Sequence, residues 1–165
     1  MIRRREPGPW RSLLASVALL AAMPAQASVG CSFSTVGVNF GVYDMLRTAA
    51  SDSTGSVTVS CANAPPPGNA TIDYAVTLSS GSSGNFASRR MASGRFQLQY
   101  NLFMNSARTQ VWGDGSAGSG LVGGSLHLAG RRTLSDTYPI YGRIPAQQDV
   151  GTGSYADTIV VTLVF

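Results

Sequence analysis

The sequence predicts an all-β domain, an antiparallel β-sandwich with Greek-key connections. Short runs of apolar residues recur at period two, each bounded by Gly, Pro, Asn or Ser. Good helix formers are scarce, Gly, Ser and Thr are abundant, and no segment sustains a helical period. The run Tyr155–Phe165 is rich in β-branched and aromatic residues, the composition of a strand.

Residues 1–27 read as a leader rather than as part of that fold. Arg3, Arg4, Arg5 and Arg11 make a basic start, and Leu13 to Met23 is apolar. Ala25-Gln26-Ala27 then supplies the small-x-small pattern of a cleavage point. Together these parts make a secretory signal peptide. The apolar stretch is shorter than the roughly 20 residues of a membrane span, so none is expected in the mature chain. Residues 28–165 then form one domain with an ordinary core. The leader carries most of the charge. The net +4 of the whole chain falls to +1 for residues 28–165, where eight Arg stand against seven Asp with no Lys and no Glu. The high pI therefore gives no reason to expect nucleic-acid binding.

Within the domain, Val36, Val38 and Phe40 alternate with Gly37 and Asn39, a first strand ending at Gly41. Tyr43 to Gly55 is polar and aperiodic, a loop. Val57, Val59 and Cys61 alternate with Thr58 and Ser60, a second strand. Ala64-Pro65-Pro66-Pro67-Gly68 ends it, because proline cannot donate to a ladder. Ile72, Tyr74, Val76 and Leu78 mark a third strand, followed by a turn at Gly81 to Gly84. Phe96, Leu98, Tyr100, Leu102 and Met104 alternate with Gln97, Gln99, Asn101, Phe103 and Asn105, the clearest amphipathic strand of the chain.

Trp112-Gly113-Asp114-Gly115 reads as a tight turn, since Asp-Gly is a strong turn dipeptide. A Gly/Ser-rich stretch follows to Ser125, and Leu126-His127-Leu128 is a short strand. Arg132 to Tyr141 is another, interrupted by Pro139 and so placed at a sheet edge. Pro145 to Gly153 is a loop leading to the final run. There Tyr155, Ile159, Val161, Leu163 and Phe165 share one face. Asp157 lies on that face near the strand's start, a gatekeeping charge at the rim. A strand this apolar either pairs inside a sheet or recruits another chain.

The chemistry-bearing residues are few. Cys31 and Cys61 in an exported chain point to one disulfide. Two thiols and the single His127 do not make a spaced ligand set, so no metal site is expected. His127 reads as a surface histidine. A Ser/His/Asp triad would rest on that one His with Asp136, and no nucleophile-elbow motif accompanies it. A secreted hydrolase therefore has no motif behind it, and neither an enzyme nor a cofactor is expected. Arg89-Arg90 and Arg131-Arg132 read as solvated loop charges or as contacts for an anionic glycan. Trp112 reads equally as an exposed stacking residue or as the anchor of its turn. Trp112, Arg89 and Arg132 are thus the candidate recognition residues.

An ordered set of short motifs resembles the spore coat protein U domain, a family that also supplies subunits of archaic chaperone–usher pili. The matching residues are Cys31, Phe40-Gly41-Val42-Tyr43, Val57-Thr58-Val59-Ser60-Cys61, Leu78-Ser79-Ser80-Gly81 and Arg90-Met91. Leu98-Gln99-Tyr100-Asn101-Leu102-Phe103, Trp112-Gly113-Asp114-Gly115, Tyr141-Gly142-Arg143-Ile144-Pro145-Ala146-Gln147 and Gly153-Ser154-Tyr155-Ala156-Asp157-Thr158 follow. The set spans essentially all of residues 28–165. It implies an immunoglobulin-like sandwich that lacks its last strand and is completed by a donated one. It also implies the partners: a periplasmic assembly chaperone, an outer-membrane usher, and other pilus or coat subunits. Export to the periplasm and then to the cell surface follows. Tyr155, Ile159, Val161, Leu163 and Phe165 become the residues of strand complementation.

The sequence departs from the polymer pattern in one place. With cleavage after Ala27, Ser28, Val29 and Gly30 alone precede Cys31. Three residues reach about 10 Å, short of the roughly 17–20 Å of an ordinary strand. The expectation is a chain that accepts a strand without donating one, which suits a tip subunit. The alternative is a soluble secreted adhesin or lectin-like module that binds through Trp112, Arg89 and Arg132.

Overall fold

A computed structural model describes residues 29–63, 68–130 and 132–165. The proposed signal peptide lies outside the described residues. Among the described residues eight strands are formed: β1 (Val29–Val36), β2 (Ser51–Asn63), β3 (Asn69–Leu78), β4 (Arg89–Ser93), β5 (Phe96–Phe103), β6 (Val122–Ala129), β7 (Thr133–Ile144) and β8 (Val161–Val164). A single 3₁₀ turn covers Gly81–Ser83. The strands pair antiparallel in two sheets, one ordered β1-β2-β7-β5-β4 and the other β6-β3-β8. The result is an immunoglobulin-like antiparallel sandwich.

The core lies where the inner faces meet. Val57, Val59 and Cys61 of β2, Leu98, Tyr100 and Leu102 of β5, and Ile140 and Ile144 of β7 come from one sheet. Tyr74, Val76 and Leu78 of β3, with Leu126 and Leu128 of β6, come from the other. The period-two alternation of these strands is what buries one face and leaves the other in water.

Two expected strands are placed differently. The first strand is Val29–Val36, not Val36–Phe40. Residues 37–42 form no ladder, although Val38 and Phe40 pack on the core. They lie against Gly142 of β7, where a Cβ would meet Val38 Cγ1 at 2.6 Å and Phe40 Cζ at 2.7 Å. The alternation was real, but it reports side-chain burial and not backbone pairing. The strand carrying Pro139 is an inner strand of its sheet, between β2 and β5. Its pairing with β5 covers just residues 141–143, so at Pro139 it has a ladder partner on the β2 side alone. The proline is tolerated because that stretch is locally an edge.

Candidate functional site

The final run is split between the two sheets. Ala156 exchanges backbone hydrogen bonds with Ala92 of β4, at 2.9 and 3.2 Å. Four residues later, Val160 accepts from Ser79 N at 2.9 Å, and β8 then pairs with β3 over Ala75–Leu78. The ladder therefore begins beside the edge of one sheet and ends beside the other. Among the described residues β8 pairs with β3 alone, and its second edge is vacant.

Residues 35–45 line one cleft together with Ile159 and with Val161 of β8. Tyr43 fixes this segment: its hydroxyl donates to Pro145 O at 3.0 Å and accepts from Gln148 N at 2.8 Å. Between the two walls runs a cleft of about 1240 Å³ that reaches the core residues Leu78, Met91, Leu98, Tyr100, Leu102 and Ile140. These side chains are already buried, so the cleft is a groove above the core and not an opening into it.

Three of the five residues expected on the assembly face, Tyr155, Ile159 and Val161, line the cleft. Leu163 packs partly buried against the core. Phe165 lies beyond the end of β8. It is 60% exposed, because the last ladder pair is Ala75 with Val164 and nothing is paired beyond it.

Asp157 anchors the point where the run changes sheets. Its Oδ1 accepts from Ser82 N at 3.0 Å and from Thr158 N at 2.9 Å. Its Oδ2 accepts from the Tyr100 hydroxyl at 2.7 Å. Burial first, and then the Asp157 hydrogen bond, hold the Tyr100 phenol well above its ordinary range. Gly81, at φ +68°, lies so close that a side chain there would run into the Asp157 carboxylate. Asp157 is thus a tie between elements rather than a charge at the rim.

The sequence matches the profile of the Spore Coat Protein U domain over residues 16–162. The chain belongs to the spore coat protein U domain family. It is 30% identical over 145 residues to Protein U of Myxococcus xanthus, a match covering 84% of this chain and 76% of that protein. Its fold is similar to a chain in the crystal structure of the CsuC-CsuE chaperone-tip adhesion subunit pre-assembly complex, from archaic chaperone-usher Csu pili of Acinetobacter baumannii. The TM-score is 0.52 at 22% identity, over 84% of this chain. The spore coat U domain here spans 40% of that chain's length.

In this spore coat U domain Cys31 and Cys61 form a disulfide, directly opposite one another on β1 and β2. Two of the candidate recognition residues are corrected. Arg89 is 0% exposed. Its guanidinium donates to Ser79 O (3.1 and 2.7 Å), Trp112 O (2.6 Å) and Asn101 Oδ1 (2.8 Å). Desolvation lowers its pKa, with the nearby Tyr100 and Asp157 opposing that fall. Trp112 is also 0% exposed, and its indole N–H donates to Val76 O at 3.0 Å. Neither can reach a surface ligand, because each spends its polar atoms on buried carbonyls that have no water to turn to. Arg132 is exposed, at the foot of β7, and Arg131 lies outside the described residues.

The remaining polar residues are structural. His127 sits on the outer face of β6, its Nδ1 2.7 Å from Thr71 Oγ1. Asp136 accepts from the Tyr74 hydroxyl at 2.6 Å, with Tyr138 joining through a 2.7 Å phenol pair. Among the described residues no group of three His, Cys, Asp or Glu could hold a metal, and no helix is long and apolar enough to cross a membrane. Sequence reasoning missed the roles of Arg89, Asn101 and the Tyr100–Asp157 pair. A charged side chain far from its acceptors in sequence gives no local signal of burial.

Proposed function

We propose that this domain is an exported structural subunit of a surface assembly, a chaperone–usher fimbria or a coat-like layer, and that it acts by accepting a β-strand. The vacant edge of β8 beside an open cleft carries this reading. An incoming strand would hydrogen-bond to that edge, and its alternate side chains would fill the cleft over Leu98, Tyr100 and Ile140. In the periplasm the strand comes from an assembly chaperone. At the outer-membrane usher it is exchanged for one from a neighbouring subunit. Strand exchange of this kind is not catalysis, and it calls for no cofactor. Donation from one surface to a different surface of the next copy extends without closing, hence a filament.

The donor half of that exchange is short in this chain. Val29 and Gly30, the first described residues, are already paired with Asn63 and Ala62. With cleavage after Ala27, Ser28 alone precedes β1, which supports an acceptor-only role at a fibre tip. N-terminal sequencing of the exported protein decides this, and a mature start upstream of Ala22 contradicts it.

The strand-accepting role is tested by expressing the chain in the periplasm, alone and with an assembly chaperone, followed by size-exclusion chromatography. The expected result is little soluble protein alone and a one-to-one complex with the chaperone. A stable soluble monomer that ignores the chaperone overturns the reading.

A further inference from the structure

The cleft has polarity of one sign. Among the described residues the charged side chains lining it are Asp44 and Asp157, and no Arg or His does so. This is not a consequence of composition, because Arg outnumbers Asp in residues 28–165. Asp44 is exposed, and its Oδ1 caps its own turn by accepting from Leu46 N at 2.9 Å. Asp157 is half-buried and makes no ion pair among the described residues. Arg89 lies within electrostatic range of it, yet gives its hydrogen bonds to carbonyls and to Asn101. Asp157 Oδ1 accepts two backbone bonds and Oδ2 one phenol bond. A carboxylate has about four acceptor positions, which leaves one at Oδ2, the oxygen nearest Tyr100.

An unpaired carboxylate in an apolar groove costs more once the groove is filled. An occupant strips away its remaining water and must either supply a directly bonded partner or leave the carboxylate to its three hydrogen bonds and the longer-range field of Arg89. We infer that the cleft is charge-selective: it favours a strand of alternating apolar side chains with a basic side chain at the inward position that meets Asp157, and it rejects an acidic one there. This rests on the strand-accepting reading above and specifies the chemistry of its partner. The apolar floor sets affinity, while Asp157 sets register and choice of partner. Like charges facing each other across an interface are the usual means of excluding a wrong one.

The test uses the small soluble fraction of the exported chain, held at low concentration, and synthetic eleven-residue peptides. The parent peptide alternates Ile and Thr. Variants carry Lys, Gln or Glu in place of one Ile, with each inward position scanned in turn. Binding is followed by fluorescence anisotropy at low and high salt. At one position Lys is expected to bind about tenfold more tightly than Glu at low salt, with Gln between them, and the gap should shrink as salt screens the pair. Asp157→Asn, which can still accept from Tyr100, should bring the three peptides together, while Asp44→Asn should leave the preference in place.

Equal binding of the Lys and Glu peptides at every position, with the parent peptide bound, overturns charge selectivity and leaves strand acceptance standing. Failure of the parent peptide and of every variant to bind overturns both. The peptide series on the unaltered chain decides between these outcomes even where Asp157→Asn does not fold.

Discussion

Replacing Cys31 and Cys61 together by alanine tests how one wall of the groove is held. β1 has a single neighbour, β2, and most of its residues are exposed, so burial contributes little to keeping it in place. The disulfide links residues 30 apart in sequence. Loop-closure entropy puts the stabilisation from a cross-link of that span at about 3–4 kcal/mol. For a domain of this size the melting temperature should fall by about 10–15 °C. Alanine is the right replacement because Cys61 is fully buried, and a serine hydroxyl there would add about 1–3 kcal/mol of unpaired polar burial. The closed loop contains residues 37–45, the segment that faces β8, so the variant should also bind a strand less tightly. Thermal unfolding of wild type and variant, purified in the same state of complexation, gives the first number. Amide exchange over β1 gives the second. A shift below about 3 °C, less than 1 kcal/mol at this size, with β1 still protected, would refute the reasoning.

Gly142→Ala pushes a methyl group into Val38 and Phe40; it should destabilise the domain by about 1–3 kcal/mol and weaken strand binding, read by urea unfolding and peptide titration. Arg89→Met leaves the carbonyls of Ser79 and Trp112 without the guanidinium donor, while the Asn101 amide oxygen keeps its bond from Leu102 N. It should cost about 2–4 kcal/mol in urea unfolding, and a neutral result would mean that water reaches those carbonyls. Asp52 is held below its ordinary pKa, first by the Arg143 hydrogen bonds at 2.7 and 2.8 Å and then by the charges of Arg108 and Arg143, against a desolvation that raises it. A depressed carboxylate contributes stability above its unfolded pKa and loses it as pH falls through the folded value. Asp52→Asn should therefore lower the melting temperature at neutral pH and converge with wild type in strong acid. The gap should stay below about 1 kcal/mol, because both side chains of the pair are a third or more exposed.

The strands that build the core were legible in the sequence because they alternate. Val57-Val59-Cys61, Tyr74-Val76-Leu78 and Leu98-Tyr100-Leu102 each bury one face. β1 was not legible. It is an edge strand whose burial barely alternates, and Phe33 is 43% exposed, so Gly30 to Thr35 carries little pattern. The neighbouring Val36-Gly37-Val38-Asn39-Phe40 carries a better pattern, because Val38 and Phe40 do pack on the core, yet beyond Val36 it forms no ladder. The terminal run was legible as strand-forming, but the expected strand over Tyr155–Phe165 is formed at Val161–Val164, with a lone bridge at Ala156. Its crossing from β4 to β3 was not, since that depends on Ser79 and Ala92, both far away in sequence. The groove itself follows from tertiary arrangement, and no local pattern encodes an empty edge. Arg89 was assigned to the surface on residue type alone, and Trp112 was left open between an exposed stacking residue and a turn anchor. Three distant acceptor groups on Ser79, Asn101 and Trp112 are what make a buried guanidinium tolerable.

The central claim is that β8 and residues 36–42 flank an empty strand position. Amide hydrogen exchange on the exported chain, with and without a saturating alternating apolar peptide, tests it most directly. New protection is predicted over residues 36–42 and 157–164 on peptide binding, with β2 and β3 protected throughout. The amides of 161–164 that pair with β3 are protected from the start, and no added protection over residues 36–42 and 157–164 on peptide binding would contradict the account.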